Sequence, residues 1–209
     1  MFMRQLFSLL CFSFIALSSV AAVEDIIQAQ QVIERSSEQI KQTLKRPAYQ
    51  NDFSKATQFV DGVVTKFVDM HRVALLVLGK NIRKATPEQR QRFIHEFKIL
   101  LVRVYTRAFL NYKEWTITYY PNNDTTNDGK TIVRTLVHQS GKQPVNIIYR
   151  MLLNKSDEWK VYEIHIDGVS LVTTYRSFFD QEIARTGSID VVIKSLIDKN
   201  SKVNLDKEH

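Results

Sequence analysis

Cysteine is almost absent from this chain: Cys11 stands alone among 209 residues. Disulfide scaffolds and thiolate zinc sites are thereby excluded. Glycine and proline are scarce as well, 6 and 4 residues, which rules out collagen-like and low-complexity chains. No glycine-rich phosphate loop opens a helix, and no serine elbow of the hydrolase type follows a strand. The five histidines, His71, His95, His138, His165 and His209, form no His-x-x-x-His pair and no close His/Asp cluster of the kind zinc sites need. Lysine and arginine are scattered rather than gathered into a basic block with interleaved aromatics, so nucleic-acid binding is not indicated.

What is present is apolar material. Hydrophobic residues make up 44% and charged residues 24%, enough for the core of one ordinary domain. The formal charge is +7, which suits an anionic partner without naming it.

The first residues read as an export signal. Arg4 supplies a basic start, Leu6 to Leu17 is nearly all apolar, and Ser18-Ser-Val-Ala-Ala22 offers small residues for cleavage after Ala22 or Ala21. The 12-residue apolar run falls short of the ~20 needed to span a bilayer. Cys11 lies inside that run rather than at the cleavage point, which argues against lipidation. Residues 1–22 are therefore expected to be a signal peptide, 23–198 one domain and 199–209 a polar tail. Removing the leader leaves 187 residues, no cysteine and a net charge of +6, since Arg4 is its one charged residue. The expected product is soluble and extracytoplasmic.

Val23 to Leu44 carries Ile26, Ala29, Ile33, Ile40 and Leu44 at helical spacing. A second helical region covers Ser54 to Leu78 and ends in Val73-Ala-Leu-Leu-Val-Leu78, apolar all round. Such a segment must be buried on several sides or face something apolar. Thr86, Pro87 and Gln89 then spell a capping box, and the helix behind it carries Phe93, Phe97, Leu100, Leu101, Val104, Ala108 and Phe109. From Trp115 the period changes to two. Four strands are predicted: Trp115–Tyr120, Thr131–Gln139, Val145–Asn154 and Trp159–Ile166. Short polar connections make them an antiparallel meander. Two helices follow, Val169 to Ile183 and Ile189 to Asp198. The order implies an α+β fold, with helices packed around a curved four-stranded antiparallel sheet.

The strands do not alternate cleanly. In the third, Ile148 and Leu152 oppose Val145, Ile147, Tyr149, Met151 and Leu153; in the fourth, Trp159 and Val161 oppose Tyr162, Ile164 and Ile166. Two readings are open. Either helices wrap both faces, or sheet and helices enclose an apolar pocket for a ligand. Glu163, His165 and Asp167 alternate along one strand, but a sheet edge running into an Asp-capped helix accounts for them without catalysis.

Several segments together resemble the MlaC/Ttg2D family of periplasmic phospholipid-binding proteins, also known as toluene-tolerance proteins. They are Val73-Ala-Leu-Leu-Val-Leu-Gly79, Ala85-Thr-Pro-Glu-Gln89, Phe93, Phe97, Leu100 to Arg103 and Tyr105. The most specific is Trp159-Lys-Val-Tyr-Glu-Ile-His-Ile-Asp-Gly-Val-Ser-Leu-Val172, followed by Tyr175, Arg176, Phe179 and Gly187. The departures are His71, His165-Ile166 and the polar turn Pro121 to Gly129. The resemblance implies a monomeric, non-enzymatic carrier in the periplasm of a Gram-negative bacterium, with a glycerophospholipid as its ligand and no other cofactor. It would exchange lipid with an outer-membrane lipoprotein complex and an inner-membrane ABC transporter complex containing an MCE-domain component, preserving outer-membrane lipid asymmetry.

Combined with the face assignments, it nominates a lining of Leu75, Leu78, Phe97, Leu101, Tyr105, Val133, Ile147, Tyr149, Met151, Val161, Ile164 and Val169. Tyr105 and Tyr175 would place hydroxyls at a wet boundary. Arg103 and Arg176 are candidate head-group or partner contacts. An envelope adaptor without lipid, or a small periplasmic hydrolase, are the alternatives that the residues leave open.

Overall fold

A computed structural model describes residues 15–111, 114–121 and 129–202, with side chains between Glu24 and Ser201. Among these described residues, seven helices and five strands follow one another as α1 (Ile15–Leu44), α2 (Pro47–Gln50), α3 (Phe53–Phe67), α4 (Met70–Leu78), α5 (Pro87–Asn111), β1 (Trp115–Tyr119), β2 (Lys130–Gln139), β3 (Val145–Leu153), β4 (Trp159–Ile166), β5 (Val169–Ser170), α6 (Leu171–Thr186) and α7 (Ile189–Lys202). A 3-10 turn, Gly79–Arg83, follows α4. Helix α1 begins before Val23, so both expected cleavage points fall within it. Residues 1–14, 112–113, 122–128 and 203–209 lie outside the described residues, and with them most of the leader, most of the Pro121–Gly129 turn and the end of the tail. Among the described residues, no helix is long and apolar enough to cross a membrane.

The second helical region is two helices, and local chemistry explains the break. Val68 adopts an extended conformation and bridges Val161 of β4; Asp69 N–H donates to the Val161 carbonyl at 2.9 Å. The Asp69 carboxylate then caps α4 by accepting from Arg72 N–H at 2.9 Å. The capping box at α5 forms as its residues predict: Gln89 N–H donates to Thr86 Oγ1 at 3.1 Å, and Thr86 N–H to Gln89 Oε1 at 2.9 Å. On α5, Val104 is exposed, against expectation. Val102 and Thr106 take the buried stripe instead, with Thr106 Oγ1 donating back to the Val102 carbonyl at 2.7 Å.

The sheet is antiparallel throughout, in the order β1-β2-β3-β4-β5. A fifth, two-residue strand adds to the four expected. Asp167 (φ 46°) and Gly168 (φ 82°) both take positive φ, the pattern of a tight hairpin, so the chain doubles back before the helix begins. Asp167 is therefore not the cap of α6. Its carboxylate accepts from Asn146 N–H at 2.8 Å, and Ser170 caps the helix by accepting from Thr173 N–H at 2.9 Å. Helix α7 also runs on past Asp198. Asn200 is buried and donates to the Glu96 carbonyl at 3.0 Å, so the first residues of the expected tail are anchored to α5.

Register corrects the face assignment in β4. Arg150 pairs with Glu163, but Met151 pairs with Val161, leaving Tyr162 as the extra residue of a bulge. That one residue resets the alternation. Trp159 and Val161 consequently share a face with Ile164 and Ile166, alongside Val133, Thr135 and Val137 of β2 and Ile147, Tyr149 and Met151 of β3.

Buried apolar residues divide into three groups. Helices α4 to α7 form one, with Ala74, Val77, Leu78, Phe93, Phe97, Phe179, Ile193 and Leu196. Its aromatic rings meet edge-on, Phe93 with Phe179 at 5.2 Å and Phe97 with Tyr175 at 5.1 Å, each contact contributing roughly 0.5–1.5 kcal/mol beyond area burial. Helix α1 and the sheet form the second, through Ala29, Ile33, Val133, Met151, Trp159 and Val161. Helices α1, α3 and α5 form the third, around Ile40, Leu44, Val60, Val63 and Val102. The all-round apolar run of α4 is explained by the first group, since α4 packs against α5, α6 and β4 at once.

Two glycines test this packing with opposite signs. Gly79 has φ 54° and ψ −127°, and a Cβ there would lie 3.1 Å from Arg176 Cδ. Gly79→Ala should destabilise the fold by about 1–3 kcal/mol. Gly62 sits inside α3 with open space around it, so Gly62→Ala should stabilise by about 0.5–1 kcal/mol. Urea midpoints moving in the same direction for both variants would contradict the assignment.

Candidate functional site

A domain of this size ordinarily has one contiguous core. Here the α4–α7 group contains no strand residue, and the sheet group contains no residue of α5 or α6. Helix α1 closes one end of the inner sheet face: Val133, Met151, Trp159 and Val161 are all at most 4% exposed. Toward the other end, Ile147, Tyr149, Ile164 and Ile166 keep accessible surface although they share that face.

The tyrosines define the character of this region. Desolvation pushes the Tyr149 phenol far above its ordinary range, yet the residue is not closed off from a solvent-sized probe. Tyr149 is thus largely enclosed by protein without being sealed. Tyr105 of α5 behaves in the same way, its phenol lifted by burial and by its neighbour Tyr175 of α6, which burial also raises. Tyr119 of β1 is raised mainly by desolvation; its hydroxyl lies 3.3 Å from Ser37 Oγ of α1. Tyr149 has a partner in Thr135, whose own hydroxyl donates to the Ile147 carbonyl at 3.1 Å. The polar groups named here are phenols and threonine and serine hydroxyls, and the Glu34 and Glu38 carboxylates of α1 raise Tyr119 further.

The nominated lining separates into distinct settings. Leu101, Tyr105, Ile147, Tyr149 and Ile164 are half-buried; Leu75 is half-buried on α4 and belongs to none of the three groups. Leu78 and Phe97 are fully buried among helices, and Val133, Met151 and Val161 are fully buried under α1, so these five are packing residues. Val169 lies 57% exposed on β5, because the Asp167-Gly168 hairpin carries it to the sheet edge rather than into the interior.

The two cations are apart from each other. Arg176 Nε donates to the Leu76 carbonyl at 2.7 Å and its stem lies against Gly79, which makes it a brace between α6 and α4. Arg103 sits over Phe53 of α3, in a groove formed by α3 and α5. Of the Glu163–His165–Asp167 alternation, Glu163 and His165 meet and Asp167 is held elsewhere. Glu163 accepts a hydrogen bond from the Ser170 hydroxyl at 2.5 Å, His165 Nε2 is 3.8 Å from Glu163, and the Asp167 carboxylate is held by Asn146. Among the described residues, no three His, Cys, Asp or Glu side chains are grouped to hold a metal ion. Tyr119, Thr135 and Ile166 were missed by sequence reasoning. The period-two run Trp115-Ile117-Tyr119 signals the first, whereas the bulge conceals the last.

The family model described as MlaC protein matches residues 34–198. The chain belongs to the MlaC family. It is 33% identical over 109 residues to the toluene tolerance protein ttg2D of Pseudomonas putida, an alignment covering 52% of this chain and 50% of that protein. It is 27% identical over 108 residues to the intermembrane phospholipid transport system binding protein MlaC of Haemophilus influenzae, covering 51% and 50%. These alignments thus span about half the length of the curated relatives. The structural likeness is broader. A phospholipid-binding protein from Ralstonia solanacearum, solved in complex with a phospholipid, superposes with a TM-score of 0.77 at 30% identity, over 85% of this chain and 99% of that one.

The contrast between sealed and accessible inner-face positions has a direct consequence for stability. Val133→Asp places an unpaired carboxylate in a dry cluster and should cost about 4 kcal/mol or more. Ile147→Asp, at a half-buried position of the same face, should cost less than half as much and leave a folded protein. Chemical denaturation compares the two, and a larger loss for Ile147→Asp would contradict this difference in burial.

Proposed function

We propose that this MlaC-family chain is a soluble carrier that binds a glycerophospholipid through its acyl chains in the recess between the inner sheet face and helices α5 and α6. The observation that carries the reading is the division of the core. Ile147, Tyr149 and Ile164 on one side, and Leu101, Tyr105 and Tyr175 on the other, keep accessible surface where a ligand-free domain would close it. The phospholipid held by the Ralstonia protein, over nearly its full length, supports the same ligand class here.

The energetics suit a carrier. Two acyl chains contain roughly 30 methylenes, each worth about 0.8 kcal/mol against water, so transit through an aqueous space costs on the order of 24 kcal/mol if the chains are bare. The recess therefore has to approach the affinity of a bilayer, not exceed it. Hydrocarbon contact supplies most of that stabilisation without directional chemistry, and the lining needs no acid, base or nucleophile. Phenol and threonine hydroxyls can meet ester oxygens without burying a charge. Glu163, Asp167 and Ser170 serve the β4–β5 turn and the α6 cap, which favours binding over catalysis at that edge.

In this reading the protein works in the periplasm after removal of residues 1–22. It exchanges lipid as a monomer between an outer-membrane lipoprotein complex and an inner-membrane ABC transporter complex with an MCE-domain component, and so maintains outer-membrane lipid asymmetry. The names of the Pseudomonas and Haemophilus relatives support that setting.

The test is the lipid content of purified protein. The chain, expressed with its leader and isolated from a Gram-negative periplasm without detergent, is extracted with organic solvent and its phospholipid quantified by mass spectrometry. Near-stoichiometric glycerophospholipid is expected, falling severalfold in Ile147→Asp while its circular dichroism is retained. Folded wild-type protein without phospholipid contradicts the proposal.

A further inference from the structure

Three cross-strand pairs follow one another on the inner face of β3 and β4: Met151 with Val161, Tyr149 with Ile164, and Ile147 with Ile166. Along β3 successive pairs stand roughly 7 Å apart, since a strand advances about 3.4 Å per residue. Their burial is graded. Met151 and Val161 are buried in the group that α1 covers. Tyr149 and Ile164 pack against that same group but are only half-buried. Ile147 and Ile166 are half-buried and belong to none of the three groups. The middle pair is the boundary between the closed part of the face and the rest.

Tyr149 is the bulkier member of that pair, and it is held from two sides. Its cross-strand partner in β2 is Val133, buried in the group under α1. Its phenol has Thr135 as a hydrogen-bond partner. Thr135 is buried and gives its own hydrogen to the Ile147 carbonyl at 3.1 Å, which leaves it an acceptor for the phenol O–H. A ring held along its side and at its tip resists swinging away to make room.

We infer that Tyr149, with Ile164 opposite it, is the floor of the recess and sets the length of acyl chain that the protein carries. The inference rests on the carrier reading and adds to it the residue that discriminates among lipids of one class. A chain lying along the strands from the Ile147–Ile166 end buries each methylene until it meets the Tyr149–Ile164 pair. Behind that pair Met151 and Val161 are closed, so further methylenes find no apolar surface to occupy. Each one left in water weakens retention about fourfold relative to a bilayer that buries it.

The test compares wild type with Tyr149→Leu, Ile164→Phe and Ile193→Val. Each is expressed with its leader in one Gram-negative strain, isolated from the periplasm without detergent and checked for folding by circular dichroism. Mass spectrometry sets the acyl chains that each retains against the total phospholipid of the same cells. Tyr149→Leu removes the ring and should enrich chains longer than those of wild type, about fourfold per added methylene. Ile164→Phe raises the floor and should enrich shorter chains to a similar degree. The two shifts have opposite signs, so either folded variant decides the matter by itself. Ile193→Val truncates the closed helical core and should keep the wild-type profile. Phospholipid retained with one chain profile in every protein, or a shift in Ile193→Val as large as in Tyr149→Leu, overturns the floor and leaves the carrier reading standing. Folded wild-type protein without phospholipid removes the carrier reading itself, and the floor with it.

Discussion

Ala29 and Ile33 of α1 press onto Val133, Met151, Trp159 and Val161, and this contact seals one end of the inner sheet face while the other end stays half-buried. Everything else in the architecture follows from how that remaining face is treated. Helices α5 and α6 are occupied with α4 and α7, where stacked phenylalanines already give them a complete core. They have little reason to collapse onto the strands. A gap between two satisfied cores can persist only if its lining is neither polar enough to demand water nor pressed hard enough to close, and half-buried isoleucines and tyrosines meet both conditions.

The bulge at Tyr162 is the local device that makes the sheet suit this role. By inserting one residue opposite the Arg150–Met151 step, it brings Trp159 and Val161 of the sealed end onto the same face as Ile164 and Ile166 of the open end. Without it, the two halves of β4 would present opposite faces. Bulges also increase local twist and bend, which fits a sheet that curves around its helices. The β4–β5 hairpin performs a related task. It turns the chain through Asp167 and Gly168 so that Ser170, rather than Asp167, opens α6.

Much of this was legible in the residues. Thr86-Pro87 and Gln89 announced α5 to the residue, and the change of period at Trp115 announced the sheet. The division of the second helical region was not legible, because it depends on Val68 bridging Val161, more than 90 positions away. The lining was half legible for a similar reason. Periodicity distinguishes the faces of an element but not a sealed part of a face from an open one, so Met151 and Ile147 looked equivalent although α1 covers only the first. Arg176 read as a free cation because its acceptor, the Leu76 carbonyl, belongs to the backbone and leaves no trace in composition. Periodicity left open whether helices cover both faces or a pocket lies between, whereas the family resemblance, carried mainly by Trp159 to Arg176, is borne out by the match over residues 34–198.

The central claim is that hydrocarbon occupies the space between the sheet and helices α5 and α6. It is tested most directly by loading the protein with a phospholipid that carries a nitroxide at the end of one acyl chain and recording methyl NMR spectra. The account predicts strong paramagnetic broadening of the Ile147 and Ile164 methyls and little effect on Ile193 and Leu196 in the closed helical core. Undisturbed Ile147 and Ile164, with broadening instead at Ile99 and Val102 in the α3–α5 groove, would contradict it.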